Sequence, residues 1–495
     1  MPASTSNKRQ SWLECLFLLA LATLLRCLFI GKSDLGGDES FTLYMAQLGI
    51  PDIVKILCKG DNPPLWELLL HGWIRLFGIS EVAIRTLSLI FSVLTVIPIY
   101  CLGERHIHRF AGIAASLCYC CSTFSIYMAH ECRVYSLIGF LAACSAWFFI
   151  SSVKNPKPFK FIMLTLANVM LMYGHYLSVW VIVMEFFIFL TVKSIRTKIW
   201  KPYLLHIGAL ILIFIPMFPV LYTRFMASGL HGTWIEKSTG LENLYDLLWR
   251  MSNAPFVTVT AIAIMISTLT AWIIQIIRKE ARFGAITILT LLWLVPLLVS
   301  FALSFFTGFL LDRYFYFLFP LFYLAMTGYC VSLFPKHKIG GLILMSVFSA
   351  MMAATCSPNS STKHFSGWHT DIKPIVSQLI EAKEHGNALV VLPEYFDKQF
   401  VYYVDETHEA FRNHKTPVNY YVFQEYLHKE GYYYDYSYPQ AHLNQYSEVV
   451  FLFQISMPMN ELENDLKAKG FQLTNELDAP PFKIRYYSAA PSILP

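Results

Sequence analysis

Charged side chains are scarce in this chain: Asp, Glu, Lys and Arg together make up 14% of its 495 residues, against roughly 25% in an ordinary soluble protein. Cysteine is absent after Cys356, so the tail is no disulfide scaffold. Upstream, Cys15, Cys27, Cys101, Cys118, Cys120, Cys121, Cys132, Cys144 and Cys330 fall in or beside apolar runs, where cysteine behaves as a small apolar residue. Paired Cys motifs at zinc-site spacing are lacking. The tail carries no Gly-rich phosphate fingerprint, which leaves nucleotide binding unsupported. The net charge of +5 restates a loop bias described below and is no argument for nucleic-acid binding.

What the chain has is apolar length. Apolar residues make up 56% of it and the mean hydropathy is +0.48. Runs of the roughly 17–25 residues that cross a bilayer as helix recur up to residue 355, and about eleven can be counted. They fall at 11–30, 82–103, 110–129, 134–152, 160–174, 177–192, 203–222, 256–277, 283–306, 314–334 and 338–355. The expected protein is therefore an α-helical polytopic membrane protein. The first run is followed by two acids and not by a small-residue cleavage site, so it is expected to stay as a helix.

Lysine and arginine gather in alternate loops: Lys8/Arg9, Arg105/Arg109, Lys154/Lys157/Lys160, Lys193/Arg196/Lys198/Lys201, Arg278/Lys279/Arg282 and Lys336/Lys338. The positive-inside rule makes that face cytoplasmic. On the opposite face fall Asp38-Glu39, Asp61-Asn62-Pro63-Pro64, Glu131-Cys132-Arg133, His175, residues 223–255, Asp312-Arg313 and the tail. Ionisable groups at a membrane face are costly and are functional candidates by default. Here the candidates share one face.

The loop 31–81 contains the apolar stretch Leu65–Phe77, too short to cross and suited to lie at the interface. The loop 223–255, with His231, Trp234, Glu236 and an amphipathic helix at 241–250, is either a lid or an ordered connector. From 357 the composition turns charged and tyrosine-rich. Helical patterns at 371–385, 395–403, 419–429 and 459–469 alternate with strand-like runs at 388–392, 449–453, 471–474 and 482–487. Residues 1–356 thus read as a membrane domain and 357–495 as a small extracytoplasmic α/β domain. Its tyrosines either stack on sugar rings or fill the core and seat the domain at the interface.

An ordered series then carries a family resemblance: Gly37-Asp38-Glu39, Asp61-x-Pro63-Pro64-Leu65, Leu76-Phe77-Gly78 with Ser80-Glu81 and Arg85, Glu131-x-Arg133-x-Tyr135, Tyr173-x-His175-Tyr176, Trp234, and Arg313-Tyr314. It resembles the GT-C membrane glycosyltransferases, and within them the branch of the protein O-mannosyltransferases and the lipid A aminoarabinose transferases. The resemblance implies an inverting transferase that moves a sugar from a polyprenyl-phosphate carrier to a protein, lipid or glycan acceptor. It also implies a bacterial inner membrane, with the N-terminus cytoplasmic and the tail periplasmic.

By that resemblance Asp38 is the general base, and Glu39 orients it, since adjacent side chains on a helix diverge. The leaving group is a phosphate ester that wants a fixed cation. Arg85, Arg133 and Arg313 stand on the correct face, and the arginine fork suits phosphate. Asp61 matches an acid near the carrier phosphate, although Asn62 replaces the lysine that follows it in the aminoarabinose branch. Each role has a plain structural counterpart: helix N-terminal acids for Asp38 and Glu39, turn capping for Asp61, and pairing of Glu131 with Arg133. His175, His231, Asp61 and Glu131 lack the tight spacing of a metal motif. The family is divided on metal, so no cofactor is required by this reading and a divalent ion stays open. The rival classes are a transporter or flippase of lipid-linked sugars, which would place such residues near the bilayer midplane in paired halves, and a receptor acting through its tail.

Overall fold

The computed structural model describes residues 5–59, 63–231, 235–238, 240–279, 283–335, 337–359, 371–384, 387–413, 423–434, 437–455 and 460–489. Asp61, Asn62 and Trp234 lie outside the described residues. The chain is mostly helical and forms two compact units. One comprises Met1–Ile30, Val54–Leu69 and Ile84–Ser360; the other comprises Gly31–Ile53, Leu70–Ala83 and Ser361–Pro495.

In the first unit, seven helices among the described residues are long and apolar enough to cross a membrane: Arg9–Cys27, Glu81–His106, Tyr135–Lys154, Lys193–Thr223, Pro255–Ile277, Ala285–Ser304 and Asp312–Leu333. Arg109–Cys120 and Thr123–Ala129 make an eighth if taken together, bent by 62°. Pro158–Gly174, Tyr176–Thr191 and Ile339–Ala354 are shorter apolar helices. All the expected apolar runs are helical, and the lower count of full-length spans reflects those shorter helices.

The bend shows how a helix can break inside an apolar body. Backbone groups freed at a break must find partners there. Asn253, at φ 64°, supplies them: its Oδ1 accepts the Thr123 amide at 2.9 Å and its Nδ2 donates to the Cys121 carbonyl at 2.8 Å. Asparagine tolerates the left-handed region better than most residues. Ser122 adds an N-cap, its Oγ accepting from the Ser125 amide at 3.2 Å. Arg26, fully buried, donates to the carbonyls of Tyr119 at 3.2 Å and Cys120 at 3.3 Å, and to Ser92 Oγ at 2.7 Å. A cation at a helix C-terminus is favourably placed. The turn holding Glu131 and Arg133 follows directly from this braced break.

In the second unit lies a five-stranded sheet: β1 (Ala388–Leu392), β2 (Tyr432–Tyr434), β3 (Glu448–Gln454), β4 (Phe471–Ala479) and β5 (Phe482–Ala489), in the order β2-β1-β3-β5-β4. β1 runs parallel to β2 and β3, while β5 is antiparallel to β3 and β4. Leu389, Val391, Val449, Phe451 and Phe453 form its core with Leu462, Leu466 and Phe471. The edge strand β4 is largely solvent-facing and carries Glu476, whose carboxylate meets Lys483 at 2.7 Å and Arg485 at 2.5 Å. Cross-strand charge of this kind is how an exposed edge resists further pairing. Tyr402 and Tyr434 are buried, so part of the tail's tyrosine content fills its core.

The second unit also contains the helix Gly37–Gln47, which bears Asp38 and Glu39. Tyr44 on this helix meets Phe423 edge-on, with ring centroids 5.5 Å apart.

Candidate functional site

Within the first unit, bonds from both sides hold the turn between Thr123–Ala129 and Tyr135–Lys154, including one between the His130 ring and the Arg26 carbonyl at 2.8 Å. Trp66 Nε1 donates to the Cys132 carbonyl at 3.3 Å, Ser88 Oγ donates to the Arg133 carbonyl at 3.3 Å, and the Arg133 amide donates to the Glu131 carbonyl at 2.8 Å. Trp66 belongs to the interfacial stretch legible in the sequence, and its indole is one of the groups that hold this turn. The turn buries both Glu131 and Arg133.

His175 sits in the break between Pro158–Gly174 and the short turn Tyr176–Ser178. Arg313 is the second residue of the 3-10 helix Asp312–Leu318, its amide donating to Asp312 Oδ1 at 2.7 Å. Asp312 Oδ2 is in turn 3.4 Å from Arg250 Nε, on the helix Leu241–Ser252. That helix was legible in the sequence; its ion pair was not.

Three rings gather these pieces. His175 lies 5.1 Å from Tyr314 and 6.2 Å from Tyr135, and Tyr135 lies 6.4 Å from Tyr314, centroid to centroid. Arg133, His175 and Arg313 are each only 8% exposed. Burial, with Arg133 and then Arg313 beside it, pushes the His175 imidazole down to about 3. It is therefore neutral at physiological pH, and its buried Nδ1 makes no hydrogen bond among the described residues. The structure thus brings Arg133 and Arg313 close to His175 in one buried cluster. Buried guanidiniums are the side chains best suited to holding a phosphate, because their paired donors match its oxygens.

Arg85 is fully buried and donates to the Ile30 carbonyl at 3.1 Å. In the second unit, Asp38 and Glu39 occupy the first turn of Gly37–Gln47. Glu39 is fully buried and its Oε2 accepts the Gly36 amide at 3.0 Å, while Asp38 is half-buried. The two acids diverge as helical geometry requires. Among the described residues no three His, Cys, Asp or Glu side chains converge to hold a metal ion.

Residues 61–222 match the family described as Dolichyl-phosphate-mannose-protein mannosyltransferase. Among curated proteins no sequence matches the chain. In fold the chain is similar to ArnT from Cupriavidus metallidurans in the apo state, with a TM-score of 0.59 at 11% identity over 99% of each chain. It is also similar to ArnT from the same organism bound to undecaprenyl phosphate, with a TM-score of 0.60 at 10% identity over 97% of this chain and 98% of the other. A third similarity is to AglB from Archaeoglobus fulgidus in complex with an inhibitory peptide and a dolichol-phosphate, with a TM-score of 0.55 at 10% identity over 99% of this chain and 75% of the other. The chain thus has the fold of these GT-C membrane proteins, and about a third of its sequence matches the mannosyltransferase family, both in line with the motif series read from its sequence.

Proposed function

We propose that this protein is a glycosyltransferase that takes a sugar from a polyprenyl-phosphate carrier and delivers it, with inversion, to an acceptor hydroxyl or phosphate on the extracytoplasmic side of a bacterial inner membrane. The observation that carries the reading is the Arg133–His175–Arg313 cluster, two buried guanidiniums beside a neutral imidazole. Such a cluster suits the phosphate of a lipid carrier, which loses its sugar as negative charge grows on its oxygens. The carriers seen with two similar proteins, undecaprenyl phosphate and dolichol-phosphate, support the same substrate class.

In the proposed step, Asp38 accepts the acceptor's O–H proton as that oxygen attacks the anomeric carbon. The bond from the anomeric carbon to the phosphate oxygen breaks, and its electron pair leaves with the phosphate. Arg133 and Arg313 hold the departing dianion; His175, neutral, offers a hydrogen bond without adding charge. Glu39 acts through the backbone of the turn that presents Asp38. We assign this chemistry to the region before about residue 356, with the N-terminus cytoplasmic, and treat 357–495 as the exported domain.

The test is purified full-length protein in liposomes, given undecaprenyl-phosphate mannose and, separately, undecaprenyl-phosphate aminoarabinose, each with a hydroxyl-bearing peptide and with lipid A as acceptor, and with released undecaprenyl phosphate as readout. Asp38→Asn should lose at least a hundredfold in turnover while inserting and binding undecaprenyl phosphate normally. Full turnover by that variant rejects Asp38 as base. Flux of either lipid across the vesicle without glycosidic cleavage would replace the transferase with a transporter.

A further inference from the structure

The second unit contains a closed ring of hydrogen bonds just before the helix that bears Asp38. The Leu35 amide donates to the Tyr403 hydroxyl oxygen at 2.6 Å, and the Tyr403 hydroxyl donates to Glu81 Oε1 at 2.6 Å. Lys373 Nζ donates to the same Glu81 oxygen at 2.9 Å and lies 3.0 Å from Asp34 Oδ1, while the Lys373 amide donates to Asp34 Oδ2 at 2.8 Å. The ring closes on itself because Asp34 and Leu35 are chain neighbours. Gln399 Nε2 holds the other side of the same peptide segment, donating to the Leu35 carbonyl at 2.9 Å. One residue on, the Gly36 amide is taken by Glu39.

Both backbone polar groups of Leu35 are therefore held by side chains of one helix, Asp397–Tyr403. A backbone segment so close to a reacting side chain controls its direction, and a displacement of about 1 Å can cost about a hundredfold in rate. The members of the ring are not equal. The Lys373 side chain is 56% exposed, so its ion pairs are weak and screened by salt. Gln399 is buried and Tyr403 half-buried, and Tyr403 is the one member that both accepts from Leu35 and donates to Glu81. A phenylalanine there breaks both bonds and keeps the ring volume.

We propose that Tyr403 and Gln399 of the C-terminal domain are positioning residues for Asp38, fixing the Asp34–Gly36 backbone so that the first turn of Gly37–Gln47 presents the acid in one direction. The domain then serves the reaction as a brace. This inference rests on the reading of Asp38 as the base.

The experiment uses full-length protein in liposomes and three variants, Tyr403→Phe, Gln399→Leu and Asp38→Asn. Turnover is followed with undecaprenyl-phosphate mannose or aminoarabinose, whichever the wild type cleaves, together with amide hydrogen exchange. In Tyr403→Phe and Gln399→Leu, kcat should fall about tenfold or more with KM within twofold of wild type. Exchange at 35–39 should accelerate about tenfold while β3 keeps its protection. Full kcat in both variants, with Asp38→Asn inactive, overturns the brace and leaves the base assignment standing. Loss of kcat together with loss of β3 protection also overturns it, since the residues would then be supporting the domain as a whole. Full activity in Asp38→Asn removes the base assignment and the brace with it.

Discussion

Tyr316 packs so tightly over Gly139 that a β-carbon at position 139 would sit 2.8 Å from the ring Cε1. The ring cannot step aside cheaply: it is fully buried, and its hydroxyl is 3.1 Å from that of Tyr119. This contact sets how closely the 3-10 helix Asp312–Leu318 approaches Tyr135–Lys154, and hence where Arg313 and Tyr314 fall beside Tyr135. Gly139→Ala should overpack the contact at a cost of about 1–3 kcal/mol and weaken undecaprenyl phosphate binding. Thermal unfolding in detergent and a lipid-binding titration measure the two effects. If both stay at wild-type values, the close approach does not govern the cluster.

Arginine and lysine should not be interchangeable in this cluster. Lysine keeps the charge at 133 or 313 and loses the paired donors that match a phosphate. A charge-assisted hydrogen bond contributes about 1.5–3 kcal/mol, so Arg133→Lys and Arg313→Lys should each weaken undecaprenyl phosphate binding by at least about tenfold. Arg85→Lys should leave affinity unchanged and lower stability, because Arg85 is fully buried and holds the Ile30 carbonyl. Equal affinity losses at all three positions would bring Arg85 into the phosphate site.

Glu39 should separate from Asp38 in its response to substitution. Its Oε2 accepts the Gly36 amide, a bond that a glutamine oxygen can also accept. Glu39→Gln should therefore retain most activity, whereas Glu39→Ala should lose the clamp at about 0.5–2 kcal/mol, the usual scale for a helix N-terminal bond. Turnover and exchange at the Gly36 amide in the two variants check this. A glutamine variant as inactive as Asp38→Asn would give Glu39 a direct chemical part.

The contrast between these two acids was legible from sequence, because adjacent positions on a helix point about 100° apart whatever surrounds them. So were the apolar runs and four of the five strands, each written as a local pattern. The strand Tyr432–Tyr434 was not: three tyrosines are too short a run to show a period. Gly139, Asn253 and Arg26 were silent for another reason. Each is a single residue in an unremarkable stretch, and its importance lies in a partner far along the chain. The same holds for the grouping of Gly31–Ile53 with the C-terminal sheet, which no loop composition records. Arg133, His175 and Arg313 were legible as candidates, but only the fold shows that both arginines bear on the histidine.

That convergence makes a prediction about pH. His175 titrates at its ordinary 6.5 in the unfolded chain and at about 3 in the folded one. Between those values the unfolded state binds the extra proton, so stability rises with pH across the window. The contribution is full above 6.5 and is lost progressively as pH falls toward 3, reaching a few kcal/mol at about 1.4 kcal/mol per pH unit. Protein in detergent should therefore unfold at lower temperature as pH drops from 6.5 to 4, and His175→Asn should flatten that slope. Arg313→Met should raise the pH at which His175 protonates by removing one of the two cations that hold it off. Imidazole NMR of the labelled protein reads this directly: a His175 signal titrating near 6.5 in the wild type would mean that His175 is neither buried nor flanked by the two guanidiniums as the structure places it.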